Sequence, residues 1–199
     1  MNFIFKKDTF SNQTVDPYLA ELTKIFAEID LKYNEAAKYY GFNCNSCQDN
    51  CCKTKFYHHT FIEFFYIQKG FENLKSGEKI EIKVRALLNL KEYAEAEKKN
   101  KKIQVMCPFN SKGMCVIYFF RPLICRLHGI SHELVQPYHN IVYGQGCECF
   151  ISKCGEKKYY KFDRTPFYLK ISQLEKGLKN QLGFTQKFKM TLSQMIAAL

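Results

Sequence analysis

Between Cys44 and Cys52 the chain reads Cys-Asn-Ser-Cys-Gln-Asp-Asn-Cys-Cys, four cysteines in nine residues at the spacing C-x2-C-x3-C-C. In a regular helix or strand such a set points in several directions at once, so it cannot fill one apolar face. Thiolate is a soft, anionic ligand for zinc or iron, and two cysteines separated by two residues can wrap a turn and aim both sulfurs at one ion. Cys44 and Cys47 meet that condition. Cys51 and Cys52 are adjacent, and neighbouring side chains diverge, so the pair is expected to serve two ions or to have one member bridging. Two further groups follow, Cys107, Cys115 and Cys125, then Cys147, Cys149 and Cys154, and ten cysteines suffice for two four-sulfur sites with two left over.

The sulfur is not needed to rescue a small fold, because 199 residues can bury a core without staples. The composition is 46% hydrophobic and 25% charged, with 18 Phe, 13 Tyr and no Trp, which is globular rather than disordered. The segment Met1 to Lys7 places its apolar residues ahead of its charges, the reverse of a secretory signal. No apolar run approaches the roughly 18 residues of a membrane helix, so no membrane insertion is expected. The expected compartment is a reducing cytoplasm, where clustered cysteines bind metal or do redox chemistry more often than they form disulfides. The formal charge of +11 could attract nucleic acid, anionic lipid or an acidic protein. Its densest run, Lys98 to Lys102, reads as a solvated helix end.

The fold expected from the pattern is mainly α: a helical single domain around an irregular cysteine-rich metal-binding centre, with at most a short β-hairpin. Residues 1–15 form an N-terminal arm and 16–199 the cysteine-cluster domain, whose centre spans about 44–154. Asp16-Pro17 is expected to open a helix. Leu19, Leu22, Phe26, Ile29, Tyr33, Ala36 and Tyr40 then lie on one stripe ending at Gly41. Thr60 and Glu63 make a capping box for a buried helix through about Lys69, ended by Gly70. Glu78 to about Lys99 is a further helix, with Ile80, Val84, Leu87 and Leu88 assigned to its inner side.

Asn110-Ser111-Lys112-Gly113 is turn chemistry between two cysteines and predicts a hairpin or knuckle over Met106 to Cys115. Pro122 suits the first turn of a helix carrying Cys125 and Arg126, on which Arg121, Cys125 and His128 would share a face. Gly129 to Glu156 reads as irregular. Thr165-Pro166 starts a helix running through Leu174, Leu178 and Leu182 to Gly183, and Thr191 with Gln194 caps a last short one.

Cys44-x2-Cys47-x3-Cys51-Cys52, then Cys107-Pro108-Phe109 and Cys115-x-Ile117-Tyr118-x2-Arg121-Pro122-x2-Cys125-Arg126, resembles the YkgJ-like cysteine-cluster family of zinc- or iron-chelating domains. The likeness covers roughly residues 44–128, with Cys147 as its late cysteine. It implies metal binding by Cys44, Cys47, Cys51, Cys52, Cys107, Cys115, Cys125 and Cys147. One branch of the family resembles flagellin lysine methylases, which implies an iron-sulfur cluster as an alternative occupant. Cys149 and Cys154 lie outside the family pattern.

Zinc and a [4Fe-4S] cluster both accept four cysteines, so spacing does not choose between them. Arg121 and Arg126 flank Cys125 and are expected to compensate the negative charge of bound thiolates or to hydrogen-bond sulfur. His58 and His59 read as structural or exposed, and His128 is a ligand candidate through its nearness to Cys125. His132 and His139 carry no signal. Phosphate-binding glycine loops, a G-x-S-x-G elbow and H-E-x-x-H are absent. Three functions remain in competition. The first is a cytoplasmic protein coordinating zinc or iron, with a protein partner open. The second is an iron-sulfur enzyme for redox chemistry or lysine methylation. The third is a zinc-stabilised nucleic-acid-binding module.

Overall fold

The computed structural model describes residues 12–43, 51–101, 103–136 and 140–199. Seven α-helices and two short antiparallel strand pairs occur among them: α1 Asn12–Tyr40, α2 Phe61–Glu72, α3 Ser76–Lys98, β1 Asn110–Ser111, β2 Met114–Cys115, α4 Leu123–Leu127, β3 His132–Val135, β4 Ile141–Gly144, α5 Glu148–Cys154, α6 Thr165–Leu182 and α7 Leu192–Ala198. No helix among the described residues is long and apolar enough to cross a membrane.

Helix α1 is the spine, and α2, α4 and α6 all pack on it. Its stripe is buried as its periodicity predicts, through Leu19, Leu22, Phe26, Ile29, Ala36 and Tyr40, and Gly41 leaves the helix at φ 60°. The start differs from expectation: the helix begins at Asn12, with Pro17 inside it. Val15 is buried with Leu19, so the apolar stripe extends a turn further back and outweighs the backbone bond that the proline removes.

Thr60 caps α2 by accepting the Glu63 amide on its hydroxyl. The first two amides of the same helix, those of Phe61 and Ile62, donate to the Glu175 carboxylate of α6 at 2.9 and 3.0 Å. An acidic side chain therefore sits where unpaired N–H groups and the helix dipole favour negative charge. Gly70 does not end α2, which runs on to Glu72. Its role is close approach, because a Cβ there would stand 2.6 Å from the Cβ of Phe120. Gly70→Ala should therefore destabilise the protein by about 2 kcal/mol, although alanine is the better helix former. Gly77→Ala in α3, where a Cβ would meet nothing within 4 Å, should instead be neutral or stabilising by up to about 1 kcal/mol. Urea denaturation of the two variants reads the opposite signs directly.

Helix α3 forms where expected but turns the other way. Ile80, Val84, Leu87 and Leu88 are 65, 51, 53 and 50% exposed, while Ile82, Ala86 and Asn89 face inward, chiefly onto α7. Polar anchors decide the rotation. Asn89 Nδ2 donates to Met106 O at 2.8 Å, and Arg85 Nε donates to Pro108 O at 3.0 Å. Turning the larger aliphatics inward would strand both carbonyls. The helix ends at Lys98, and Lys98, Lys99 and Lys101 are exposed, as the charge run implies.

The region read as irregular holds the second strand pair and α5. His132, Glu133, Leu134 and Val135 pair with Gly144, Tyr143, Val142 and Ile141. Glu133 extends the contact to the main chain of the 160s, exchanging backbone bonds with Phe162 O and Arg164 N. Helix α6 spans Thr165–Leu182 and closes on Gly183 at φ 68°. Thr191 and Gln194 form a reciprocal capping box at α7.

Candidate metal centre

Four cysteines from three separated stretches of chain lie near enough for their charges to act on one another. The first two belong to one knuckle: β1 pairs with β2 so that Asn110 opposes Cys115, and the turn is closed by Gly113 N donating to Asn110 Oδ1 at 3.1 Å. Lys112 at φ 51° and Gly113 at φ 85° supply its left-handed residues. Asn110 N bonds Cys107 O, and Val116 N bonds Phe109 O. This backbone carries two matching sulfur environments: the Phe109 amide donates to the Cys107 thiol, and the Ile117 amide donates to the Cys115 thiol. An amide two residues on stabilises the anionic form of a sulfur, which is the form a metal binds.

Cys125 comes from α4. Its helix is short, and outside contacts hold it. Buried Glu63 accepts the Leu123 amide on Oε1 at 2.9 Å and the Thr60 hydroxyl on Oε2 at 2.6 Å, so one α2 carboxylate serves both elements. Cys52 enters through the 3-10 turn Cys51–Lys53, where Cys52 O accepts the Cys107 amide at 2.7 Å. Asn89 and Arg85 of α3 hold the carbonyls of Met106 and Pro108, on either side of Cys107.

The electrostatics tie the four together. Burial pushes the Cys125 thiol up to about 12, with Cys115, Cys52 and Glu63 adding in the same direction and Arg121 opposing. The Cys107 thiol is raised well above its ordinary value by burial first, then by Cys125, Cys52 and Cys115. Burial raises Cys115 as well; Cys52 adds to this, and Arg121 with the Ile117 amide counters it. Raised in this way, Cys107, Cys115 and Cys125 keep their protons at neutral pH. A divalent cation among them reverses the balance, because it replaces like-charge repulsion with attraction and displaces the protons. Among the described residues no three His, Cys, Asp or Glu side chains form a group that could hold a metal ion. None of the seven described cysteines is in a disulfide.

The remaining cysteines have other local roles. Cys147, expected among the ligands, is the buried N-cap of α5, its sulfur accepting the Phe150 amide at 3.4 Å. Cys154 is buried in the core with its thiol directed to Tyr40 O at 3.6 Å, and Cys149 is half-buried on α5. Cys44 and Cys47 lie outside the described residues, as does the side chain of Cys51.

The two arginines separate. Arg121 precedes α4 in extended backbone, so the shared helical face with Cys125 and His128 does not form. It nevertheless stacks on Tyr118, 3.6 Å from the ring centroid, and its charge acts on Cys115 and Cys125. Arg126 points to α1. It pairs with Asp30 at 2.5 Å, donates to Phe119 O and Arg121 O at 2.6 and 2.8 Å, and covers the Phe26 ring at 4.3 Å. Its guanidinium is committed to the fold, although Cys125 is its sequence neighbour.

His58 is buried and exchanges backbone bonds with Met190, whereas His59 is exposed. His128 caps the end of α4, its carbonyl accepting the Tyr33 hydroxyl and its ring lying edge-on to Phe56. His132 sits half-buried against Ile130 O, and His139 lies outside the described residues. Sequence reasoning missed Asp30 and the second task of Glu63. The capping box identified Glu63 as a helix-start residue, but nothing local to residues 60–63 shows a helix sixty positions later.

Comparisons with protein-family models, curated proteins and solved structures return no match for this chain.

Proposed function

We propose that this protein binds a metal through a four-thiolate site made by Cys52, Cys107, Cys115 and Cys125, in a reducing compartment such as the cytoplasm. The reading is supported by the charges of these four thiols acting on one another, with two of them accepting an amide two residues on. Four thiolates suit zinc in a closed tetrahedral site and equally suit a [4Fe-4S] cluster. The order of cysteines resembling YkgJ-like domains favours the same chemistry. Cys44, Cys47, Cys51 and Cys147 remain ligand candidates on that likeness alone. Arg121 is the cation placed to offset the site's excess negative charge.

The test is metal and acid-labile sulfide content, with a visible spectrum, on protein purified anaerobically without added metal. Zinc without sulfide assigns a closed zinc site. About four irons and four sulfides per chain assign a cluster and bring redox or group-transfer chemistry forward. Cys125→Ser should remove that metal or cluster, and Cys149→Ser should leave it in place. A metal-free wild-type protein, or an unchanged complement in Cys125→Ser, ends the reading.

A further inference from the structure

Helix α3 carries a second apolar face that nothing among the described residues covers. Ile80, Val84 and Leu87, followed by Lys91 and Ala94, alternate spacings of four and three along α3, and Leu88 widens the stripe. The four aliphatics are each half or more exposed, on the side opposite Ile82, Ala86 and Asn89. Single exposed aliphatics are ordinary, but four on one stripe of a helix are not. Spacings of four and three make the seam on which two helices interlock side by side. The seam extends from Ile80 to Ala94, about 21 Å of helix. The covering element on the other side, α7, is only seven residues long.

We infer that this face binds the same face of a second copy, with the two α3 helices antiparallel about a two-fold axis. The charges choose that occupant. With Val84 opposite Leu87 of the second copy, Lys91 comes opposite Ile80 and beside Glu81 of that copy. By symmetry each of these meetings occurs twice. A parallel pair in register would set every charge against itself, with Lys91 beside Lys91 and Glu95 beside Glu95. Lys91 is the only charged residue within the seam, and the antiparallel arrangement is the one that gives it an acidic neighbour, Glu81, while its stem lies along apolar surface. Glu81 is free to respond, since its bridge to Arg85 is exposed and 3.7 Å long. An isologous surface of this kind closes after two copies. The inference stands apart from the metal centre, because the inward side of α3 holds Met106 O and Pro108 O and the stripe lies on the opposite side.

Sedimentation velocity of the full chain from about 1 to 300 µM tests it. Wild-type protein should show a concentration-dependent monomer–dimer equilibrium. Leu87→Asp should raise the dimer dissociation constant at least about 100-fold, because the two-fold axis counts the loss twice. Circular dichroism should be unchanged, since Leu87 contributes little to the monomer core. Lys91→Glu and Glu81→Lys should each weaken self-association about tenfold, and mixing the two variants should restore a dimer. A monomer at every concentration, or a dimer indifferent to Leu87→Asp, would overturn the proposal, including where some other protein covers the face. A dimer lost in Leu87→Asp but unaffected by Lys91→Glu would overturn the antiparallel arrangement.

Discussion

Arg126→Ala should lower the unfolding free energy by about 3–4 kcal/mol, one of the largest effects of any single polar substitution in this chain. The side chain is only 4% exposed and works at three places at once, pairing with Asp30, donating to Phe119 O and Arg121 O, and lying over Phe26. Truncation leaves two main-chain carbonyls without their donor and removes packing from the centre of α1. Asp30 is 40% exposed and returns to water at small cost, so most of the loss comes from the carbonyls and the ring. Arg126→Lys keeps the positive charge next to Cys125 but not the planar fork, and should recover less than half of the loss. That comparison separates two roles. A guanidinium whose purpose was charge near sulfur would be replaced well by lysine; a clamp between α1 and the chain leading into α4 would not. Urea unfolding of both variants decides, and an alanine variant within about 1 kcal/mol of wild type would remove the clamp.

The parts of the fold that the sequence makes legible are those fixed within a few residues. The stripe of α1, the Thr60 cap on the Glu63 amide, the box at Thr191 and Gln194 and the terminator at Gly183 are all local patterns that form. The return bond from Glu63 to the Thr60 backbone does not, since its carboxylate takes the Thr60 hydroxyl and the Leu123 amide. The orientation of α3 is not local. Its pattern offers two apolar-compatible faces, and the choice is made by Asn89 and Arg85 reaching carbonyls near Cys107. The strand pair at His132–Val135 and Ile141–Gly144 is hidden for a different reason, since four residues are too few to separate alternation from chance.

Cysteine illustrates the same limit within one residue type. Spacing marks the ten sulfurs as a chemical resource but cannot sort them. Cys147 caps a helix, Cys154 fills the core, and Cys52, Cys107, Cys115 and Cys125 lie within reach of one another's charge. Sorting depends on where α2, α3 and α4 bring three distant stretches. The residues that do this are Glu63, Arg85, Asn89 and Arg126, each a polar side chain holding backbone next to a sulfur-bearing segment. Arg121 and Arg126 were expected together because both flank Cys125. Arg121 acts on Cys115 and Cys125, whereas the hydrogen bonds of Arg126 go to Asp30 and two carbonyls, with Cys125 a lesser influence on its charge.

Acidification should expose a weakness at the other end of the Cys52 segment. His58 is 3% exposed, and burial, with repulsion from His59 as a smaller cause, lowers its pKa to about 4. Above the unfolded value of about 6.5 the ring is neutral in both states, and the stability it permits is complete. As pH falls from about 6.5 towards 4, the unfolded chain takes up a proton that the folded protein refuses, and stability is lost. Below about 4 both states bind the proton and the loss levels off, at about 3 kcal/mol in total. His132, also lowered to about 4 but only half-buried, acts in the same direction with a smaller contribution. Glu63 and Glu175 act the opposite way, since burial pushes their carboxyls up and folding then favours the protonated form as pH falls. The net slope of the wild type therefore mixes signs, and acid release of thiol-bound metal would add to it. The difference between wild type and His58→Phe, followed by urea unfolding from pH 7 to pH 4, cancels everything the two proteins share. That difference should shift in favour of the variant by about 3 kcal/mol over the range, and parallel curves for the two proteins would show that His58 accepts its proton in the folded state.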